Sequence, residues 1–237
     1  MEYKTHISKV TKQGPIIRGE NLSTLIKNNS FTDSIFLLLT NRKPNVQESK
    51  IFSAILISII DHGMGTTSSQ TTRFVKSGGN PLNTAVGAGV LALGNYHGGA
   101  IENAMKQIKT IKNVEEFVTT HITNKKIIFG FGHKIYKDQD PRVIQILKLC
   151  KEIDYQSTYI EKILKIEQLI EQQKGKKIIL NIDGLIAAIL LEMRFDPIIG
   201  KGIFIIGRTP GLVAQAVEES KEKPVRRISE EDIEYMP

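Results

Sequence analysis

Apolar residues recur three and four positions apart along most of the chain, the spacing that places them on one face of an α-helix. The first two such stripes are formed by Leu22, Leu25 and Ile26 and by Ile35, Leu38 and Leu39. Thr32 or Asp33 is available to cap the second of these helices, because a side-chain oxygen at a helix start accepts from a free backbone N–H. The N-terminal region is therefore predicted to contain short helices joined by polar turns.

Seven longer segments show the same periodicity, and we predict a helix in each. They are residues 45–60, 81–93, 100–111, 140–153, 159–173, 184–195 and 210–221. The alternation of apolar and polar residues that is typical of strands is almost absent. No repeat, low-complexity segment or flexible linker interrupts the pattern, and Lys174 to Lys177 marks an exposed turn. The predicted fold class is all-α.

The composition is typical of an ordinary globular protein. With 237 residues, of which 41% are hydrophobic, the chain can fill one substantial core, or two lobes that share one. The longest apolar run, residues 51–60, ends well short of a membrane span, and no apolar stretch follows a basic leader at the N-terminus. Cys150 is the single cysteine, which excludes an internal disulfide and a cysteine metal cage. We therefore expect a cytoplasmic protein that neither enters a membrane nor is secreted.

The net charge of +7 bears on the choice of partner. The basic residues are scattered, and no aromatic-basic platform or recognised binding motif accompanies them, so we do not expect a nucleic-acid partner. An excess of lysine and arginine also suits ligands that carry phosphates and several carboxylates. Small anionic molecules are the partners that the charge favours.

The sequence lacks three common functional motifs: a phosphate-binding loop, a zinc site and the nucleophile elbow of serine hydrolases. Residues 202–209 have the glycine spacing of a phosphate loop, but Arg208 stands where a lysine is required, and bulky apolar residues lie between the glycines. The five histidines show neither the i, i+4 pairing with a glutamate nor the clustering with cysteine that a zinc site needs, so no metal site is predicted. No Gly-x-Ser-x-Gly elbow supports a serine hydrolase.

Four polar residues stand in unusual surroundings: His62, His97 before two glycines, His133 after Gly-Phe-Gly, and Asp183 between two apolar segments. An isolated histidine beside glycine is more often a helix cap or a structural residue than a catalyst. Asp183 is different, because a carboxylate among apolar residues needs a partner or a purpose. It can cap the helix predicted to begin after it, and a helix start can also hold a catalytic carboxylate rigidly, so the two interpretations are compatible.

Taken together, four segments resemble the signatures of the citrate synthase superfamily. In order, they are residues 95–100, 130–142, 181–184 and 207–211. They are similar to the family's His-Gly-Gly-Ala segment, its Gly-Phe-Gly-His-Arg-x-Tyr-Lys segment with the Asp-Pro-Arg that follows, the segment of its catalytic aspartate, and its Gly-x-Arg-x-x-Gly segment. The resemblance extends from about Thr5 to the C-terminus, and the order and spacing of the segments agree with it.

Within this family the chain resembles citryl-CoA lyase and the C-terminal citryl-CoA lyase module of ATP-citrate lyase. The segments 206–208 and 232–235, and the short stretch between residues 44 and 61, support this placement. His97 stands where the ATP-citrate lyase module has an aromatic residue, which leaves a complete synthase-like catalytic set. Lys134 stands where the signature has arginine, which puts a bidentate contact to a CoA phosphate in doubt.

The resemblance implies a chemistry for the catalytic residues. Forming an enol from a thioester needs a base at the methyl group and a hydrogen-bond donor at the thioester oxygen, and by resemblance Asp183 is the base and His97 the donor. His133 is placed by the family pattern to donate to the ketone oxygen of oxaloacetate and, in cleavage, to accept the hydroxyl proton of citryl-CoA. No permanently bound cofactor is expected, because coenzyme A enters as a thioester substrate.

The residues matched to substrate binding are His62, Arg142, Arg208 and Arg226, with Arg227 as the fallback for the last. Planar guanidinium groups suit the two carboxylates of oxaloacetate. Because the family residue matched by Arg226 reaches the active site of a neighbouring subunit, the resemblance implies an obligate homodimer or a higher even oligomer. The residues matched to coenzyme A are Phe131, Gly132, Lys134 and Lys137.

The family fold implies two helical lobes in a compact chain. Residues 1–96 and 184–237 are expected to form the larger lobe, and residues 97–183 a smaller lobe that carries the CoA-binding and catalytic segments. Closure between the lobes would exclude water from the enol.

Three functions remain open at this point. The first is a citryl-CoA lyase, which cleaves citryl-CoA reversibly to acetyl-CoA and oxaloacetate and would receive citryl-CoA from a synthetase partner. The second is a minimal citrate synthase, which also hydrolyses the thioester to citrate and CoA. The third is a non-catalytic CoA-binding subunit, since a fold does not imply a function. The intact set of His97, His133 and Asp183 argues against the third, and the compact chain favours the first.

Overall fold

The computed structural model describes residues 3–95, 97–224 and 229–236. It is mostly helical, with 59% helix and eleven α-helices in the described part of the chain. In chain order the elements are β1 Ser8–Thr11, β2 Gly14–Ile17, β3 Glu20–Asn21, α1 Leu22–Asn28, α2 Phe31–Thr40, α3 Val46–Ser58, α4 Thr67–Ser77, α5 Leu82–Leu91, α6 Ala100–Thr110, α7 Val114–Thr123, α8 Pro141–Glu152, α9 Thr158–Lys174, α10 Ile182–Glu192, α11 Ile199–Glu219 and a 3₁₀ helix at Glu230–Asp232.

The N-terminal strands correct the all-α prediction. β1, β2 and β3 form an antiparallel sheet in that order, with Ser8 opposite Ile17. Each strand is four residues or fewer in length, which is too short for a period-two pattern to stand out in the sequence. The chain is therefore mostly helical rather than all-α.

Most predicted helices are present, but several details of the prediction are wrong. The second helix is capped by Ser30, whose side chain accepts from the N–H of Asp33, rather than by Thr32 or Asp33 themselves. The last long helix begins at Ile199 instead of Pro210, which lies inside it. Proline is favoured at the first position of a helix, but Pro210 lies inside α11, where it removes one helical hydrogen bond and crowds the preceding turn.

The contacts group the chain into two compact units. One comprises residues 1–55 and 145–156, and the other residues 56–144 and 157–237. In the first unit Phe36 and Phe52 pack edge to face, with ring centroids 5.3 Å apart, and the side-chain amide of Gln47 donates to the carbonyl of Ile153. These units differ in extent from the two lobes expected above, and the lobe division stays a prediction.

In the second unit α10 is the central helix. Its residues from Leu185 to Leu190 are all fully buried, as expected of a helix that is apolar on every side, and α6 and α9 pack against it. The helix starts beside the glycine segment 130–132, where the backbones of Gly130 and Gly184 meet so closely that a Cβ on Gly130 would lie 2.5 Å from the Cα of Gly184. The glycines thus place the first turn of α10 directly against the residues that precede His133.

No helix among the described residues is both long and apolar enough to cross a membrane.

A separate layer of the second unit is formed by α4, α5 and α11, each of which packs on the other two. These helices carry residues of the site described next.

Candidate active site

A cavity of about 650 Å³ in the second unit brings together most of the residues that the sequence singled out. Its lining includes His62, His97, Gly132, His133, Lys134, Arg142, Asp183 and Arg208. Phe131 and Lys137 do not line it, and Arg226 lies outside the described residues. Among the described residues no group of three or more histidine, cysteine, aspartate or glutamate side chains is arranged to hold a metal ion.

Asp183 lies in the first turn of α10, at the wall of the cavity. Asn181, the residue before the helix begins, caps it by accepting from the N–H of Gly184 at 3.1 Å, so the backbone that carries Asp183 is fixed. Loss of contact with water raises the pKa of Asp183 to about 6, and the nearby Asp140 raises it too, although Arg142 and Arg208 act in the opposite direction. A carboxyl group with such a pKa is ionised at neutral pH and close to the range of a general base.

His97 lies between α5 and α6, and its ring is held by the start of α4. The N–H of Ser68 donates to His97 Nε2 at 3.3 Å, and the Ser68 hydroxyl lies 2.9 Å from the same nitrogen. A ring nitrogen that accepts from a backbone N–H carries no proton, so neutral His97 has its proton on Nδ1. Burial and then the charge of Arg208 lower the pKa of His97, which favours this neutral donor.

His133 is fixed in the opposite tautomer. Its Nδ1 accepts from the N–H groups of Ile135 and Tyr136, each at 3.1 Å, and its ring stacks on Tyr136 with centroids 4.6 Å apart. The proton of the neutral ring is therefore on Nε2. Burial and then the charge of Arg142 lower the pKa of His133.

The proton-bearing Nε2 of His133 faces Arg142, whose Nη2 is 3.3 Å away. Both groups are donors in this state, so neither satisfies the other. An oxygen atom placed between them would accept from both. The pair thus forms a binding position for an oxygen that carries or develops negative charge.

Arg208 is buried in α11 with 3% of its surface exposed. Its Nε donates to the carbonyl of Ile59 at 2.9 Å, and its guanidinium carbon lies 4.9 Å from the centre of the Phe204 ring. Its Nη1 is buried without a hydrogen-bond partner in the described structure. Since a buried cationic donor is costly to leave unpaired, this nitrogen is well placed for a carboxylate ligand in the cavity.

The residue Phe131 lies in a second cavity of about 510 Å³, next in sequence to Gly132 of the first. Its walls are apolar at Ile128 and Ile178, and Lys126 and Lys174 also line it. Lys137 instead donates from Nζ to the carbonyl of His133 at 2.9 Å. Phe131 and Lys137 are thus close in sequence to residues that line the first cavity, but they do not line it themselves.

Sequence reasoning missed two side chains that shape the site. Ser68 orients His97, but a lone serine in a polar segment gives no signal in the sequence. Asp140 was noted only as part of a signature, and it proves to be 1% exposed and paired with Arg142, with Oδ2 2.7 Å from Nη2. A buried carboxylate next to a candidate binding arginine is the feature that would have identified it.

The chain is similar to known proteins in sequence and in structure. The family model described as citrate synthase, C-terminal domain, matches residues 11–229. The chain is 25% identical, over 87% of its length, to the citrate synthase of Synechocystis sp., of which the match covers 55%. The chain thus spans about half the length of the curated relatives that it matches.

Two solved structures are similar over nearly the whole chain. The structure of citryl-CoA lyase from Hydrogenobacter thermophilus has a TM-score of 0.95 and 43% identity, and the match covers 99% of this chain and 94% of that one. The structure of ATP citrate lyase from Methanothrix soehngenii, in complex with citrate and coenzyme A, has a TM-score of 0.90 and 23% identity over 42% of its length. The second likeness shows the fold alone.

Proposed function

The chain belongs to the citrate synthase family, and from that premise we propose that it cleaves citryl-CoA to acetyl-CoA and oxaloacetate and catalyses the reverse condensation. One observation carries the proposal: a single cavity holds a carboxyl group with a pKa of about 6 and two imidazoles whose donor nitrogens are fixed by backbone N–H groups. The similarity to a citryl-CoA lyase over nearly the full length of both chains supports cleavage as the reaction.

Asp183 and His97 are the proposed pair for the enol. The carbon next to a thioester is weakly acidic, so it needs a base at the methyl group and a donor at the thioester oxygen. Asp183 supplies the base, with its pKa of about 6, and the Nδ1 proton of His97 supplies the donor. In the cleavage direction the protonated form of Asp183 is the reactant, and it donates its proton to the carbon that becomes the methyl group.

His133 and Arg142 are the proposed pair for the other oxygen. His133 Nε2 and Arg142 Nη2 lie 3.3 Å apart, and Asp140 accepts only one of the two Nη2 protons. The other Nη2 proton and the Nε2 proton of His133 are proposed to bind the ketone oxygen of oxaloacetate, which gains charge as the bond forms. The two backbone donors at Nδ1 support the donor role of His133. The expectation that His133 accepts the hydroxyl proton in cleavage requires the other neutral tautomer, with the proton on Nδ1 and Nε2 as the acceptor, and it stays a prediction.

The two carboxylates of oxaloacetate are proposed to bind the arginines. Arg208 offers its unpartnered Nη1, and His62 lies beside His133, with ring centroids 6.2 Å apart. Arg226 remains a proposed ligand from a second copy of the chain.

Coenzyme A is proposed to run from the first cavity along the glycine segment to the second. Lys134 lines the first cavity, and Phe131, Lys126 and Lys174 line the second. An apolar cleft edged by lysines suits an adenine ring with phosphates. The adenine end of coenzyme A would then lie beside Phe131.

A homodimer is proposed through the layer of α4, α5 and α11. Phe74 on α4, Leu91 on α5 and Val217 on α11 are exposed apolar side chains on these three mutually packed helices. Obligate dimer interfaces are large and apolar, so a second copy is the proposed cover for this layer. The family resemblance implies that a second copy would also supply Arg226 to the cavity.

The second candidate is a minimal citrate synthase. It is supported by His97, which completes a synthase-like set, and by the curated relatives, several of which are citrate synthases. This enzyme would have to hydrolyse the citryl-CoA thioester as well.

Two incubations distinguish the candidates. Purified protein is mixed with acetyl-CoA and oxaloacetate, and separately with citryl-CoA, and free CoA, acetyl-CoA and citrate are followed by chromatography. Acetyl-CoA formed from citryl-CoA without free CoA supports the lyase, whereas free CoA and citrate from the first mixture support the synthase. If neither mixture reacts, both proposals fail, and the non-catalytic CoA-binding subunit becomes the better account.

A further inference from the structure

Asp140 is a buried carboxylate at the start of α8, and each of its oxygens accepts two hydrogen bonds. Oδ1 accepts from the backbone N–H and from Nε of Arg142, both at 3.0 Å. Oδ2 accepts from Arg142 Nη2 at 2.7 Å and from the backbone N–H of Ile182 at 3.1 Å. The side chain therefore has no free acceptor position that faces the cavity.

The hydrogen bonds of Asp140 connect it to two groups with different proposed roles, the Arg142 side chain and the first residue of α10. Through Arg142, Asp140 orients the guanidinium group that faces His133 Nε2, where the ketone oxygen of oxaloacetate would lie. Through Ile182, it holds the first residue of α10, and the next residue is Asp183. When a catalytic group is displaced by about 1 Å, the reaction slows on the order of a hundredfold. A residue that fixes the positions of both segments can therefore affect the rate.

We propose that Asp140 is a positioning residue, which fixes the oxyanion-binding Arg142 and the enol-forming Asp183 in one geometry by bonding to both of their segments. This inference rests on the proposed function. Asp140 does not touch substrate, because all of its acceptor capacity is used within the protein. It acts through Arg142 on binding of the dicarboxylate and through the start of α10 on removal of the methyl proton.

A substitution at Ile182 can remove the hydrogen bond between Asp140 and α10 without changing Asp140 or Arg142. Ile182→Pro removes the N–H that Asp140 accepts, while proline is favoured at the first position of a helix. The preceding Asn181 has φ −101° and ψ 172°, an extended conformation that tolerates a following proline. Ile182→Val is the matched control, since it shortens the side chain but retains the N–H.

The measurement separates the two ends of the link. Exchange of the methyl protons of acetyl-CoA with deuterated water, at saturating malate, reports on the base, and calorimetric titration with malate reports on the arginine side. Malate carries both carboxylates but no ketone, so no bond forms. We expect exchange to be about tenfold slower in Ile182→Pro than in Ile182→Val, with equal affinity for malate in the two. We expect Asp140→Asn to slow exchange at least as much and also to weaken malate binding about tenfold.

The outcomes distinguish this inference from the proposed function. Equal exchange in Ile182→Pro and Ile182→Val, in a wild-type protein that turns over, overturns the positioning role alone. Normal exchange in a folded Asp140→Asn variant does the same. If Asp140→Asn does not fold, the proline and valine pair decides. A wild-type protein that neither exchanges nor cleaves citryl-CoA overturns the proposed function and this inference with it.

Discussion

Burial of Asp183 makes it a better base but destabilises the folded protein. Loss of water around the carboxyl group raises its pKa to about 6, which suits a base but makes the ionised form unstable in the folded protein. The shift from an ordinary value of 3.8 corresponds to up to about 3 kcal/mol of destabilisation at neutral pH. The site is thus maintained at a cost in stability, as is common for catalytic groups.

Replacement of Asp183 by asparagine tests both properties in one variant. Because the base is lost, we expect turnover to fall about a thousandfold, measured as citryl-CoA cleavage. Because the buried charge is lost, we expect the free energy of unfolding at pH 7 to rise by up to about 3 kcal/mol, measured with denaturant. The gain should shrink as the pH falls from 6 to 4 and the wild-type carboxyl takes up its proton. Turnover like that of wild type would refute the role of Asp183.

The pH dependence of the reaction follows from the same group. Asp183 must be ionised to act as the base, and its pKa is set by burial together with Arg142, Asp140 and Arg208. We expect the rate of methyl proton exchange at saturating substrate to fall tenfold for each pH unit below about 6. Burial and the nearby arginines lower the pKa values of His97 and His133 below the ordinary 6.5, so both rings are mostly neutral donors at pH 7. A rate that is flat down to pH 4.5 would contradict the assignment.

At the scale of elements, the apolar period predicts most of the helices, but it predicts neither α4 nor α7, although Val118 of α7 is buried. α10 is apolar all round and is predicted, whereas α4 is not, because its buried residues are Ser68, Ser69, Thr72 and Ser77. Polar residues at helical spacing give no hydrophobic period. The start of α11 was misplaced for a different reason, since Pro210 is a common first residue of a helix but lies inside this one.

The close approach of two segments at the start of α10 gives a prediction for this element. The N–H of Asn181 donates to the carbonyl of Gly130 at 3.0 Å, and a Cβ on Gly184 would lie 2.5 Å from the same oxygen. We expect Gly184→Ala to separate the two segments, to lower the free energy of unfolding by about 1–3 kcal/mol, and to reduce turnover strongly. Denaturant unfolding and a citryl-CoA assay measure both effects.

Gly202→Ala is the matched control for this substitution. Gly202 lies inside α11, and its Cβ would meet only the end of the Ile199 side chain, at 3.8 Å. Alanine is a better helix former than glycine by about 1 kcal/mol, so this variant should be slightly more stable and fully active. An equal loss in both variants would show that the contact between Gly130 and Gly184 is not the cause.

At the scale of the whole molecule, the site is assembled from segments far apart in the sequence. Ser68, His97, His133, Asp183 and Arg208 come from five separate regions, and helical periodicity alone does not place them together. The resemblance of several short motifs predicted that His97, His133, Asp183 and Arg208 share one cavity, and these four residues line it in the structure. The sequence did not assign these roles to Asp140 and Ser68, because they depend on contacts across the fold: Asp140 accepts from the N–H of Ile182, and the N–H of Ser68 donates to His97.

The proposed dimer is the last property at this scale, and Leu91 offers the test. Leu91 is 87% exposed at the end of α5, on a helix that packs with α4 and α11. An exposed leucine that lies in an apolar interface cannot be replaced by a charge without loss of affinity. We expect Leu91→Glu to convert the dimer to a monomer in analytical ultracentrifugation and to abolish cleavage, because Arg226 of the second copy is then absent. Val10→Glu, at an apolar residue of β1 that is 86% exposed, should leave both unchanged. A wild-type protein that is monomeric and active would show that one copy completes its own site.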